Sequence, residues 1–215
     1  LEDLLTADID LVIEAANPAV VKASAKAVLA AGKDFLTMSV GGLIEPGFLA
    51  ELETVAAASG ANLYLPAGAM TGQNVAAASL PVGLDEVVIQ STKNPAGLRE
   101  APYIKEKGID LDAIEEPTVI FRGNVFDAVK YFPQNVNIAA SLALAGPGPD
   151  KTMVEIVADP KSTVTLHIAR MKGAFGEMEC RMQLVPSPNK RSSYLATLGA
   201  IAAVKKYCSP IKMGY

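Results

Sequence analysis

Short apolar runs alternate with longer helical patterns in the first third of the chain. The runs that predict strands are Ile9–Ala15, Asp34–Ser39 and Asn62–Leu65. Between them, Asn17-Pro18 suits the first positions of a helix that continues to Gly32, and Pro46–Ala58 has a second amphipathic pattern. Strand, helix, strand, helix, strand at this spacing is typical of a parallel sheet with crossover helices. We therefore predict the fold class α/β, with a partial Rossmann-like parallel sheet over residues 1–80.

The pattern changes near residue 80 and becomes rich in strands. The strands predicted there are Leu84–Thr92, Thr118–Phe121, Lys151–Ala158, Ser162–Met171 and Gly176–Val185. Two predicted helices, Val125–Tyr131 and Val136–Ala145, interrupt these strands and can cover the apolar side of a sheet. We predict an α+β domain with a mostly antiparallel sheet over residues 81–190. Ser192-Ser193 cap a final helix within 191–215, which we expect to pack on the first domain.

Apolar and polar residues alternate most clearly in the last two predicted strands. In each strand, one set of alternate positions is polar or charged and the other set is mainly apolar. We combine the polar sets into one predicted polar sheet face, and propose that this face is an active-site wall or a subunit contact. Its members are Thr163, Thr165, His167, Glu177, Glu179 and Arg181.

Composition excludes several classes of protein. The chain has 215 residues, half of them hydrophobic, with a net charge of -4 and no basic stripe, so we expect no nucleic-acid partner. Its longest apolar runs are shorter than the roughly 20 residues of a membrane span, and we expect no membrane anchor. Cys180 and Cys208 have no paired spacing, so we expect neither a disulfide framework nor a zinc site, and we predict a cytoplasmic protein. The sequence also has no cluster of His, Cys and carboxylates with metal-binding spacing, so we expect no metal site.

Ligands bind to open parallel sheets beyond the carboxyl ends of the strands. Small residues follow each of the three N-terminal strands, and the third strand leads through Gly68 and Gly72 into an Ala-rich helix. Glycine lets a ligand approach the main chain closely. The alternative is that these glycines only serve a tight connection. From these loops we predict four cofactor contacts: Ala16, Ser39, Gly41 and Gly68.

A few polar residues are candidates for chemistry. His167 is the only histidine, and an imidazole that titrates near neutrality suits proton transfer, although an ordinary strand histidine is the alternative. Lys93, at a strand end, can hold a substrate carboxylate, whereas many such lysines are only solvated. Asn135 and Asn137 open a helix, where one is explained by capping and the other is free to bind a ligand.

Six motifs follow one another along nearly the whole chain: Glu14-Ala15-Ala16, Ser39–Gly42, Pro66–Ala69 with Gly72, Ser91-Thr92-Lys93, Phe132–Ala140, and His167 with Gly173–Met178. In this order they resemble the L-aspartate dehydrogenase family. The resemblance implies a nicotinamide-binding fold followed by an α+β domain, and oxidation of L-aspartate to iminoaspartate with NAD or NADP. The imine then yields oxaloacetate and ammonia or feeds NAD biosynthesis.

The resemblance also implies roles for individual residues. Ala69 and Asn137 contact the cofactor, and His167 is the catalytic histidine, accepting the ammonium proton or activating the water that attacks the imine. Lys93, Asn135 and Thr165 are the predicted substrate contacts, in a crevice between the domains. We expect a homodimer or homotetramer. The family's glycine-rich phosphate-binding turn has no counterpart, so we expect further residues before Leu1.

Other interpretations of the sequence remain open. The chain is also compatible with a different two-domain NAD(P)-dependent enzyme, resembling homoserine dehydrogenase or dihydrodipicolinate reductase. From another class, it is compatible with a non-catalytic oligomerising or ligand-sensing module.

At one position the chain departs from the family it resembles. The asparagine often found two residues before the histidine in the family is Thr165 here.

Overall fold

The computed structural model describes residues 1–66, 72–133, 136–185 and 193–211. The chain forms two compact units, residues 1–66 and 67–215. The predicted boundary after residue 80 lies one helix further along the chain than the boundary between these units. That helix, α4 (Gln73–Ser79), packs against α7 (Asn137–Ala145) of the second unit.

The first unit is a three-stranded parallel sheet with helices between its strands. In chain order its elements are α1 (Glu2–Thr6), β1 (Leu11–Glu14), α2 (Pro18–Ala30), β2 (Asp34–Thr37), a 3-10 turn (Val40–Leu43), α3 (Phe48–Ser59) and β3 (Leu63–Tyr64). The strand order is β1-β2-β3, and both pairs are parallel. This arrangement confirms the predicted α/β sheet.

The start of α2 follows from its sequence. The Asn17 side chain accepts hydrogen bonds from the amides of Ala19 and Val20, and Pro18 occupies the first helical turn, where its missing N–H costs nothing. The apolar residues that recur at helical spacing are all buried in the core of this unit. They are Val21, Ala25, Val28 and Leu29.

The second unit is built on a five-stranded sheet of order β5-β6-β4-β7-β8. Its strands are β4 (Leu84–Lys93), β5 (Thr118–Asn124), β6 (Met153–Ala158), β7 (Thr165–Gly173) and β8 (Gly176–Leu184). Its helices are α4, α5 (Pro102–Lys107), α6 (Val125–Tyr131), α7 and α8 (Tyr194–Cys208). The pair β4–β6 is parallel and the other three pairs are antiparallel, as expected for a mostly antiparallel sheet.

Candidate active site

A buried carboxylate joins two strand-end loops of the first unit. Glu14 closes β1 and is only 4% exposed. Its Oε1 accepts hydrogen bonds from the Ala16 amide (2.7 Å), the Asn17 amide (2.9 Å) and the Ser39 hydroxyl (2.9 Å), and its Oε2 accepts from the Thr37 hydroxyl (2.6 Å) and the Ser39 amide (3.2 Å). One side chain therefore fixes the loop after β1 against the loop after β2.

The 3-10 turn after β2 packs closely against the start of α2 at Gly42. A Cβ built on Gly42 would lie 2.8 Å from the Pro18 carbonyl oxygen and 2.9 Å from the Val21 Cβ, so only glycine allows this approach. Ala16 is exposed, whereas Ser39 and Gly41 are buried. Of these three predicted cofactor contacts, Ala16 is therefore the one that presents its side chain outward.

In the second unit, His167 pairs with a serine across the sheet. Ser91 on β4 and His167 on β7 are directly opposite in the antiparallel register. Their side chains meet, with 2.7 Å between Ser91 Oγ and His167 Nδ1. Both residues are buried, at 3% and 5% exposure. The imidazole is thus held from one side in a largely dry position.

Two other predicted substrate contacts lie on the same sheet face. Lys93 follows Ser91 by two residues and Thr165 precedes His167 by two, and alternate strand residues share a face. Lys93 and Thr165 are half-buried. The structure therefore brings three predicted residues, Lys93, Thr165 and His167, together with Ser91.

Burial changes the protonation of this cluster. Desolvation lowers the pKa of Lys93 from 10.5 to about 8. Desolvation, with a smaller contribution from the Lys93 charge, lowers the pKa of His167 from 6.5 to about 4. At neutral pH the imidazole is therefore neutral and most of the lysine is charged. The expectation that His167 titrates near neutrality is wrong, because burial removes its side chain from water. This burial could not be seen in the sequence.

The predicted polar sheet face is also wrong. In the β7–β8 hairpin, His167 lies opposite Met182, while Ile168 lies opposite Arg181 and Arg170 opposite Glu179. His167 therefore shares the side of the sheet with the apolar residues of β8. The two-residue loop between Gly173 and Gly176 fixes this register, and it was the signal in the sequence that could have prevented the error.

The remaining predicted site residues are placed as follows. Asn137 is exposed at the first position of α7, and the residue before the helix is Val136, which makes no side-chain cap. Gly68, Ala69 and Asn135 lie outside the described residues, so their predicted contacts stay predictions. Within the described ranges, neither a group of three or more metal-binding side chains nor a helix able to cross a bilayer is present.

Comparison with known proteins gives both units a counterpart. Residues 74–207 match the family described as aspartate dehydrogenase, C-terminal, and residues 1–66 match the family described as homoserine dehydrogenase, NAD binding domain. L-aspartate dehydrogenase of Methanosarcina mazei is 37% identical over 215 residues, which make up 100% of this chain and 79% of that protein. The chain belongs to the L-aspartate dehydrogenase family.

Two other members of the L-aspartate dehydrogenase family match the chain over similar lengths. The enzyme of Acinetobacter baylyi is 40% identical over 205 residues, 95% of this chain and 77% of that protein. The crystal structure of aspartate dehydrogenase from Thermotoga maritima superposes with a TM-score of 0.78 at 28% identity, covering 96% of this chain and 79% of that one. The resemblance inferred from the six motifs is confirmed.

Two residues that hold the candidate site in place, Glu14 and Ser91, were not predicted as functional residues from the sequence. Glu14 and Ser91 belong to motifs quoted for the resemblance, yet neither received a role. Glu14 is the one acid at the end of an apolar strand, and such a carboxylate has to find donors when it is buried. Ser91 had no comparable signal, because its partner lies 76 residues away in the chain.

Proposed function

We propose that this protein is an NAD(P)-dependent L-aspartate dehydrogenase that oxidises L-aspartate to iminoaspartate. Its membership of the family supports the reaction, and the buried Ser91–His167 pair with Lys93 beside it is the observation that carries the proposal. The imine yields oxaloacetate and ammonia or feeds NAD biosynthesis.

The first unit has residues that fit a nicotinamide dinucleotide. At the carboxyl end of β1, Ala15 and Ala16 are exposed and small, and the Glu14 carboxylate holds the loops after β1 and β2 at fixed positions. In our proposal Ala16, Ser39 and Gly41 of this unit contact the cofactor. Gly68, Ala69 and Asn137, which belong to the second unit, stay predicted cofactor contacts. The bound nicotinamide supplies the chemistry of hydride acceptance from the substrate α-carbon.

The second unit supplies contacts for a dicarboxylic amino acid. Aspartate has two carboxylates, which pair best with charged or N–H donors. The Lys93 ammonium is such a donor, and it lies on the sheet face that carries the His167 imidazole. In our proposal Lys93 holds a substrate carboxylate, Thr165 and Asn135 complete the contact, and His167 touches the substrate beside its reacting carbon.

Steady-state oxidation by the full-length protein, with any residues that precede Leu1, tests this function. With NAD or NADP, we expect turnover of L-aspartate and none of L-homoserine, because homoserine offers a hydroxyl in place of the side-chain carboxylate. Lys93→Met should raise the KM for aspartate about 10- to 100-fold, since a hydrogen bond to a charged group contributes about 1.5–3 kcal/mol.

Lys161→Met is a matched control, because Lys161 is an exposed lysine that pairs with Glu116 at the surface. It should leave the KM unchanged. Oxidation of homoserine in preference to aspartate would refute the proposal. The predicted homodimer or homotetramer, the cytoplasmic location and the choice between NAD and NADP stay predictions.

A further inference from the structure

We propose that Ser91 fixes His167 in the neutral tautomer with its proton on Nε2, so that His167 meets the substrate as a hydrogen-bond donor. The sequence left two roles open for this histidine, both as a proton acceptor. The structure favours a third role, and Ser91 acts through His167 as a positioning residue.

The direction of the Ser91–His167 hydrogen bond follows from the partners available to the hydroxyl. Across residues 1–66, 72–133, 136–185 and 193–211, the hydroxyl of Ser91 is hydrogen-bonded to His167 Nδ1 and to no other group. A buried hydroxyl that only accepted from Nδ1–H would leave its own proton without an acceptor, and this is costly in a dry interior. When the hydroxyl donates to Nδ1 instead, the proton of the neutral ring must be on Nε2.

The charges around the ring oppose the alternative of a protonated histidine. The strand β4 has a bulge between Leu84 and Glu86. Beyond this bulge, the sheet face that carries Ser91 and His167 has no carboxylate among the described residues of the five strands. The charged group on it is Lys93, whose charge disfavours an imidazolium. The other titratable side chain on this face is the Cys180 thiol of β8. A neutral ring with a fixed tautomer is what such surroundings stabilise.

An N–H on Nε2 selects the part of the substrate that it can contact. The ammonium group of an amino acid is itself a donor, whereas its carboxylates are acceptors. His167 and Lys93 would then both present donors on one sheet face, which suits a ligand with carboxylates. This step rests on the proposed function, while the tautomer does not.

The tautomer can be measured directly because His167 is the only histidine of these 215 residues. When the tag-free protein is labelled with ¹⁵N-histidine, long-range ¹H–¹⁵N correlation spectra at pH 7 report both ring nitrogens of His167. With a single histidine, these resonances need no further assignment to a residue. We expect Nδ1 in the unprotonated range and Nε2 in the protonated range. A protonated Nδ1 would overturn the proposal even if the protein oxidises aspartate.

Variants separate the hydroxyl from its surroundings. Ser91→Ala should move both nitrogen resonances toward the average of two exchanging tautomers, and Ser91→Thr should restore the wild-type pattern. Thr92→Val removes a neighbouring buried hydroxyl on the opposite face of β4 and should change neither resonance. An unchanged spectrum in Ser91→Ala refutes the role of Ser91. If that variant does not fold, the wild-type and Ser91→Thr spectra decide.

Succinate tests the donor role without catalysis, because it has two carboxylates and no amino group. Its titration should shift the Nε2 resonance until saturation, and Ser91→Ala should weaken this binding about two- to tenfold, since a smaller fraction of rings then has the competent tautomer. Saturable binding of succinate that leaves Nε2 in place refutes the donor role. If the wild-type protein does not oxidise aspartate but succinate still shifts the Nε2 resonance, the proposed function is refuted and the donor role is kept.

Discussion

Replacing Glu14 with glutamine changes one atom of the side chain and removes the charge that two loops share. The glutamine oxygen can occupy the Oε1 position, where it keeps the amides of Ala16 and Asn17 and the hydroxyl of Ser39 as donors. Its NH₂ group then faces the Thr37 hydroxyl, which has to accept where it donated before, and the Ser39 amide, which now meets a donor in place of an acceptor. The reverse orientation places the NH₂ group against two amides and is worse.

The cost can be worked from these contacts. Hydrogen bonds to a charged group contribute about 1.5–3 kcal/mol, roughly twice as much as neutral ones. Glu14→Gln loses the bond from the Ser39 amide, although this amide keeps a second acceptor in Thr37 Oγ1 at 3.1 Å, and weakens the three bonds to Oε1. We expect a loss of about 2–4 kcal/mol in the free energy of unfolding, after allowing for relaxation.

Urea unfolding followed by circular dichroism measures this loss, and calorimetric titration with NAD or NADP measures its effect on the cofactor. Affinity should fall along with stability, because the loop after β1 carries the exposed Ala16. Glu45→Gln is the control, since Glu45 is an exposed partner of Lys22, and it should change stability by less than about 0.5 kcal/mol. A Glu14→Gln protein as stable as this control would refute the reasoning.

Two further predictions concern the second unit. The pKa of His167 is lowered to about 4 in the folded state, so between pH 6.5 and 4 the unfolded chain binds a proton that the folded chain does not. The contribution of His167 to the free energy of unfolding is therefore full above pH 6.5, and about 3 kcal/mol of it is lost as the pH falls to 4. Urea unfolding against pH should show this loss relative to His167→Gln, and equal curves for both proteins would contradict it. Gly72 has φ +111°, and its added Cβ would lie 3.0 Å from the Met178 Cε and 3.1 Å from the Met171 Cε, so Gly72→Ala should cost about 1–3 kcal/mol in thermal or urea unfolding. Gly97→Ala, with open space and an ordinary φ, is the control and should be neutral or slightly stabilising, and equal losses in both variants would count against backbone strain.

Local chemistry made several elements predictable. The beginning of α2 depends on Asn17 and Pro18, which act within one turn of their own backbone, and its buried face repeats at a spacing that any helix imposes. Ser193 likewise accepts from the Ala196 amide and begins α8 where the sequence placed it. The short α5 was missed although Pro102 and Gly108 mark its two ends, so its signal was present but unused.

Most of the elements, the class of sheet in each unit and the family could be predicted from the sequence, because periodicity, capping and ordered motifs are properties of neighbouring residues. Three features came from the tertiary structure alone: Glu14 accepts from four donors of two loops and one of β2, β4 pairs in parallel with β6, and α4 belongs to the second unit. It also placed Ser91 against His167 and removed the imidazole from water. Burial and cross-strand pairing join residues far apart in the chain, and the pKa of a side chain follows from these neighbours.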